Sequence, residues 1–168
     1  YKVIEQERLI NTFCDLVRID SPSGEEEAVA QELQKRLTTL GFEVKRDTYG
    51  NLIAIEEGED PLLLSAHMDT VEPGRGIKPR VEGERIVSDG TTILGGDCKA
   101  GIAAILEALE SIHEDGVHRR PTQLVFTRGE EVGLLGARNL DFSLLSATEG
   151  VVFDGNGPPS KITTASPT

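Results

Sequence analysis

Across residues 3–19 the apolar side chains Leu9, Ile10, Phe13, Cys14, Leu16 and Val17 recur at steps of three and four, which predicts an amphipathic helix. Ser21-Pro22-Ser23-Gly24 ends it. Ser23 followed three positions later by Glu26 has the form of a capping box, so a second helix is expected to start there. Val29, Leu33, Leu37 and Leu40 would line its inner face, and Gly41 suits the residue just past its end. Residues 42–46 and 51–56 read as short strands turned by Thr48-Tyr49-Gly50. The continuous apolar run at 62–66 fits a strand buried on both faces. Residues 79–88 read as a small hairpin about Glu82-Gly83-Glu84. A third helix is expected over 100–112, with Ile102, Ile105, Leu106, Leu109 and Ile112 on one stripe. Further buried strands are expected at 122–127 and 151–153, with a short helix at 134–139 between them. Strands alternating with helices predict an α/β sheet with helices on its faces. In such sheets ligands sit beyond the carboxyl ends of the strands.

Composition narrows the partners. A length of 168 residues suits about one domain, and 38% hydrophobic with 27% charged residues is ordinary globular usage. Lys plus Arg number 17 against 29 Asp plus Glu, a net charge of −12, which argues against nucleic acid or an anionic membrane as partner. With 4% aromatics and no Trp, a stacking platform for bases or sugars is disfavoured. Two cysteines, Cys14 and Cys98, make no disulfide framework. No apolar stretch reaches the eighteen residues of a spanning helix, and the first ten residues hold no signal-peptide core. The expected location is the cytoplasm.

Four polar clusters stand just beyond apolar runs: His67-Met68-Asp69-Thr70, Gly95-Gly96-Asp97-Cys98-Lys99, Gly129-Glu130-Glu131-Val132-Gly133 and Phe153-Asp154-Gly155. Each alone has an ordinary reading: a lone His at a strand end, a solvated Glu pair, an Asp in a turn. Together, at one predicted edge, they assemble one imidazole and several carboxylates. Oxygen donors with one His suit a divalent ion that keeps a water, rather than a closed thiolate site. A carboxylate can bridge two ions, and two ions about 3.5–4 Å apart form a hydrolytic clamp. The His-x-Asp spacing lets a second carboxylate orient the imidazole. Adjacent Glu130 and Glu131 cannot point the same way on extended backbone, so one can bind metal while the other stays free as a base. Gly95-Gly96 fits neither phosphate-binding pattern. Lys99 and Arg128 are read as solvated, Cys98 as a small non-ligating residue and Cys14 as core.

These clusters resemble those of the dizinc exopeptidase family that includes peptidase T, carboxypeptidase G and acetylornithine deacetylase. Residues 65–71, Ser-Ala-His-Met-Asp-Thr-Val, match its first metal motif. Residues 94–101, Leu-Gly-Gly-Asp-Cys-Lys-Ala-Gly, are similar to its bridging-Asp motif, and residues 126–137 to its base motif. The Asp-x-Lys-Ala-Gly form and Arg128-Gly129 before the Glu pair look most like the peptidase T-like branch. The resemblance implies a three-layer helix/sheet/helix catalytic domain and two Zn2+ per complete site, with Co2+ or Mn2+ as substitutes. It implies that His67 and Asp154 hold one ion, Glu131 the other, and Asp97 both, with a cis peptide after Asp97. Asp69 would orient His67, and Glu130 would be the general base. The implied reaction is hydrolysis of short peptides by an aminopeptidase. A related N-acyl amino acid deacylase and a non-catalytic metal-binding fragment are the alternatives.

The resemblance stops short in one respect. The family's later His, which completes the second site, has no counterpart, because His113 and His118 both precede the Glu pair. Residues 1–168 are therefore expected to be the N-terminal part of a catalytic domain. The inserted lid and dimerisation domain and the C-terminal part of the catalytic domain would lie outside it. The complete protein is expected to be a homodimer, and the isolated chain to be inactive.

Overall fold

The computed structural model describes residues 4–155, 157–158 and 161–164. Its elements run α1 (Gln6–Arg18), α2 (Glu27–Thr39), β1 (Glu43–Arg46), β2 (Leu52–Ile55), β3 (Leu62–His67), β4 (Arg80–Glu82), β5 (Arg85–Val87), α3 (Gly96–Asp115), β6 (Thr122–Thr127), α4 (Leu135–Arg138) and β7 (Glu149–Val152). A 3-10 turn, Phe142–Leu144, precedes β7. The elements thus follow the apolar periodicity, with ends displaced by a few residues. Residue 3, where the first helix was expected to begin, lies outside the described residues. Gly41 does sit just past α2 with φ +88°, a left-handed conformation that glycine adopts freely because it has no Cβ.

Five strands form the main sheet in the order β1-β2-β6-β3-β7. β1, β2 and β6 pair antiparallel, whereas β6, β3 and β7 run parallel. The register places Leu52 beside Phe126, Ala54 beside Leu124, and Leu64 and Ala66 beside the same two β6 residues. These six side chains share one face, because side chains alternate along a strand. They meet Phe13, Leu16 and Val17 of α1, Val29, Leu33 and Leu37 of α2, and Ile102, Ile105, Leu106 and Leu109 of α3 in one core. Burying each such large side chain contributes about 1.5–3 kcal/mol. On the other face Ile53 and Val125 are also buried. There Gln123 accepts hydrogen bonds from the main chain of Ser146 and Ala147.

Two strands differ from expectation. Only Ala66 and His67 of β3 are fully buried, and all four residues of β7 are exposed. Among the described residues β7 pairs with β3 alone. Apolar sequence alone does not distinguish an edge strand from a central one. The expected capping box is also absent. Glu26 precedes α2, but no side chain caps that helix. Ser23 and Glu26 both point elsewhere, toward the site described next.

Candidate metal centre

Because β3 lies between β6 and β7, the carboxyl ends of three parallel strands stand side by side. His67 closes β3, Glu130 and Glu131 follow β6, and Asp154 follows β7. Asp97 comes from the start of α3, where Gly95 takes φ +73° and Asp97 and Cys98 are not helical. The Asp97–Cys98 peptide is cis. Thus the residues expected to hold metal or act as base, His67, Asp97, Glu130, Glu131 and Asp154, converge on one edge.

His67 is buried, 2% exposed, and its two ring nitrogens face different groups. Nε2 lies 3.1 Å from Oδ1 of Asp97 and 3.9 Å from Oε2 of Glu130. Nδ1 lies 2.9 Å from the main-chain oxygen of Asp69 and 3.4 Å from its carboxylate. Two sets of donor atoms lie within 4.8 Å of one another: His67, Asp97, Cys98 and Asp154, and His67, Glu130 and Glu131. The first contains the three residues expected to hold one ion. The second adds the Glu pair, with Glu130 near the same Nε2. Cys98 is a poor donor here. Burial, helped by the carboxylates of Asp154, Asp97 and Glu130, pushes its thiol up to about 12, and its Sγ donates to the main-chain oxygen of Phe153.

The electrostatics are those of crowded acids around one base. Burial opposes charge on His67, but Asp69, Asp97 and Asp154 raise its pKa to about 9. Burial also opposes charge on Asp69, yet hydrogen bonds from His67, Ser23 and the main chain of Glu130 and Glu131 hold its pKa at about 2. Glu130, Glu131 and Asp154 are all shifted upward, first by burial and then, against the pull of His67, by the nearby carboxylates, Asp97 and Asp69 in every case. Carboxylates that raise one another's pKa values are relieved by a divalent cation. Hard oxygen donors with one imidazole nitrogen fit such an ion.

Asp69 does more than face His67. Its Oδ1 accepts the N–H of Glu130 at 2.9 Å, and its Oδ2 accepts the N–H of Glu131 at 3.2 Å and the hydroxyl of Ser23 at 2.6 Å. The Glu pair therefore sits on a turn pinned from below, and not on alternating extended backbone. Ser21 Oγ donates to the main-chain oxygen of Met68, and Thr70 N–H to that of Ser21, fastening the Ser23 loop beside Asp69.

Lys99 is not solvated, and Arg128 is only partly so. Lys99 is fully buried and donates to the main-chain oxygen of Ile19 at 2.7 Å; burial lowers its pKa to about 8. Arg128 bonds the buried carboxylate of Glu26 through Nε at 2.9 Å and Nη2 at 2.8 Å, and also the main-chain oxygens of Gly24 and Tyr49. In both cases a buried acceptor waits for the cation, which the charge itself does not reveal. Ser23, Glu26 and Asn51 are the supporting residues that sequence reasoning missed as parts of the site. Ser23 and Glu26 had been assigned to a helix cap, and Asn51 carries no linear signal.

Residues 63–156 match the peptidase family M20/M25/M40. The chain is 38% identical over 177 residues to the protein YqjE of Bacillus subtilis (strain 168), covering 99% of this chain and 48% of that one. It is similar in structure to a tripeptidase from Staphylococcus aureus subsp. aureus Mu50, with TM-score 0.89 and 40% identity over 93% of this chain and 45% of the other. It is likewise similar to aminopeptidase PepT from Bacillus cereus ATCC 10987, with TM-score 0.87 and 42% identity over 92% of this chain and 44% of the other. The chain spans less than half the length of each.

Proposed function

Because the chain belongs to the peptidase family M20/M25/M40, we propose that the complete protein is a metal-dependent aminopeptidase of short peptides, of the peptidase T-like kind. Residues 1–168 are then the N-terminal part of its catalytic domain, with the lid domain and the remaining metal ligand contributed by chain beyond it. The observation that carries the reading is the convergence of His67, Asp97, Glu130, Glu131 and Asp154 at one sheet edge. The names of the tripeptidase and aminopeptidase neighbours support the substrate class. Two unpaired cysteines are consistent with a cytoplasmic protein.

His67, Asp97 and Asp154 would hold one ion, and Asp97 with Glu131 would contribute to a second, Zn2+ in the first instance. Ions held there supply Lewis acidity, lowering the pKa of the attacking water and polarising the scissile carbonyl. The remaining work falls to the chain. His67 offers Nε2 because Nδ1–H donates to the main chain of Asp69. Glu130 is not needed as a ligand in this assignment, and its side chain is 27% exposed, open to water. It accepts the proton as the water oxygen bonds to the carbonyl carbon, then delivers it to the amine nitrogen as the C–N bond breaks.

The test is hydrolysis of a tripeptide and of an N-acyl amino acid by the complete protein, before and after chelation. Tripeptide turnover that disappears with the metal and returns with added Zn2+ supports the reading. Turnover confined to the N-acyl amino acid would make the enzyme a deacylase.

A further inference from the structure

Four consecutive main-chain N–H groups lead into the candidate base and ligand, and a buried side chain receives each one. Arg128 N–H donates to Oδ1 of Asn51 at 3.1 Å and Gly129 N–H to Oε1 of Glu26 at 3.0 Å. Glu130 and Glu131 N–H donate to the two oxygens of Asp69. All three acceptor residues are 0% exposed. They come from three separate places in the chain, before β2, before α2 and after β3. Ordinary loops satisfy their N–H groups with water or with their own backbone. This segment takes its direction from the protein interior.

We infer that Glu26 is a positioning residue for the hydrolytic centre, holding the turn that bears Glu130 and Glu131 through Gly129 N–H and the Arg128 guanidinium. The inference rests on the proposed peptidase reading. Glu26 Oε1 also accepts Gly24 N–H at 2.9 Å. One carboxylate thus ties the loop that carries Ser23 to the turn that carries the Glu pair. Both branches end on Asp69, since Ser23 and the Glu pair are its hydrogen-bond donors. Glu26 touches none of the groups expected to react. It sets where they stand. Gly129 needs no Cβ at its φ of +56°, which lets its N–H turn inward to the carboxylate.

The experiment compares the zinc-loaded complete protein with its Glu26→Gln variant and with Glu26→Gln combined with Arg128→Met. In the single variant the carboxamide nitrogen faces the guanidinium, donor against donor, and the turn shifts to separate them. Misplacing a reacting group by a fraction of an ångström costs kcat, so a fall of about 10- to 100-fold is expected, with KM within about 2-fold. In the double variant the guanidinium is gone, and the carboxamide oxygen can keep Gly24 and Gly129. A recovery of several-fold over the single variant is expected. A purely packing role predicts the reverse, since the double variant loses more contacts. Full kcat in the single variant, or a double variant no better than the single, overturns the inference.

If the variants do not fold, amide hydrogen exchange on the wild-type protein decides. Gly129 and Glu130 are expected to exchange on the order of 100-fold slower than an exposed, unbonded amide. Exchange at the exposed rate overturns the inference. A wild-type protein that cleaves no tripeptide with any metal defeats the peptidase reading itself, whereas an active wild type beside a fully active Glu26→Gln defeats only the role of Glu26.

Discussion

Nδ1 of His67 stands nearer the main-chain oxygen of Asp69, at 2.9 Å, than its carboxylate, at 3.4 Å. The imidazole therefore has an acceptor that no side-chain substitution removes. The Asp69 carboxylate, which His67 also faces, receives Ser23 and the main chain of Glu130 and Glu131.

Asp69→Asn should accordingly injure the Glu pair more than the histidine. The carboxamide nitrogen must face one of the donors, so a buried N–H or hydroxyl loses its acceptor, at about 1–3 kcal/mol. Thermal unfolding should show that loss. In the complete protein kcat should fall about 10- to 100-fold, while His67 keeps its tautomer in a nitrogen-15 spectrum of the ring. A changed tautomer with stability intact would return Asp69 to the role of orienting the imidazole.

Gly101 sets the distance between α3 and the strand end that carries Asp154. A Cβ there would lie 2.4 Å from the main-chain oxygen of Phe153 and 2.8 Å from its Cβ. Alanine ordinarily stabilises a helix by about 1 kcal/mol over glycine. Overpacking against a rigid main chain costs about 1–3 kcal/mol and wins. Gly101→Ala is expected to be destabilised and to bind metal more weakly, read by chemical denaturation and by competition with a chelator. Gly96→Ala, whose Cβ meets nothing within 4 Å, is expected to be near neutral. Equal behaviour of the two variants would contradict the close approach.

The staple between α1 and α3 gives a pH dependence remote from the site. Glu107, with its side chain 1% exposed, accepts Arg8 Nε at 2.7 Å, Ser111 Oγ at 2.7 Å and Glu5 N–H at 2.9 Å. Burial pushes its pKa up, but these partners together hold it below the usual glutamate value. A depressed folded-state pKa means that the unfolded chain takes up the proton first. The stabilisation is present above the ordinary glutamate range and is lost as pH falls through it and below. Arg8 is partly exposed and keeps Glu110 and Glu114, so the loss is that of a charge-assisted hydrogen bond, about 1.5–3 kcal/mol. Glu107→Gln should lose about that much at neutral pH and show a flatter decline of stability in acid. Parallel acid profiles for the two proteins would remove Glu107 from the account.

The elements, and most of the side chains that meet at the sheet edge, were legible because those side chains, Asp97 apart, directly follow an apolar strand. His67 closes one such strand, the Glu pair follows another, and Asp154 follows the third. The supports were not legible. Glu26 and Asn51 act on main-chain N–H groups 103 and 77 positions away, and a main-chain donor leaves no mark in a sequence. Ser23 and Glu26 had the spacing of a helix cap, but Asp69 and Arg128 compete for them in three dimensions. Lys99 and Arg128 looked solvated because charge is visible in a sequence and a waiting carbonyl or carboxylate is not. Val151 and Val152 looked buried, and within the described residues their strand pairs with β3 alone.

The central claim is that Glu130 moves the proton while its neighbours hold the metal. Metal content and tripeptide turnover of Glu130→Gln in the complete protein test it together. The expected result is unchanged metal stoichiometry, folding intact, and kcat lower by about 10²- to 10⁴-fold, the usual worth of a positioned general base. Near-normal turnover by a fully metallated Glu130→Gln protein would contradict the account, and so would loss of the metal itself, which would make Glu130 a ligand.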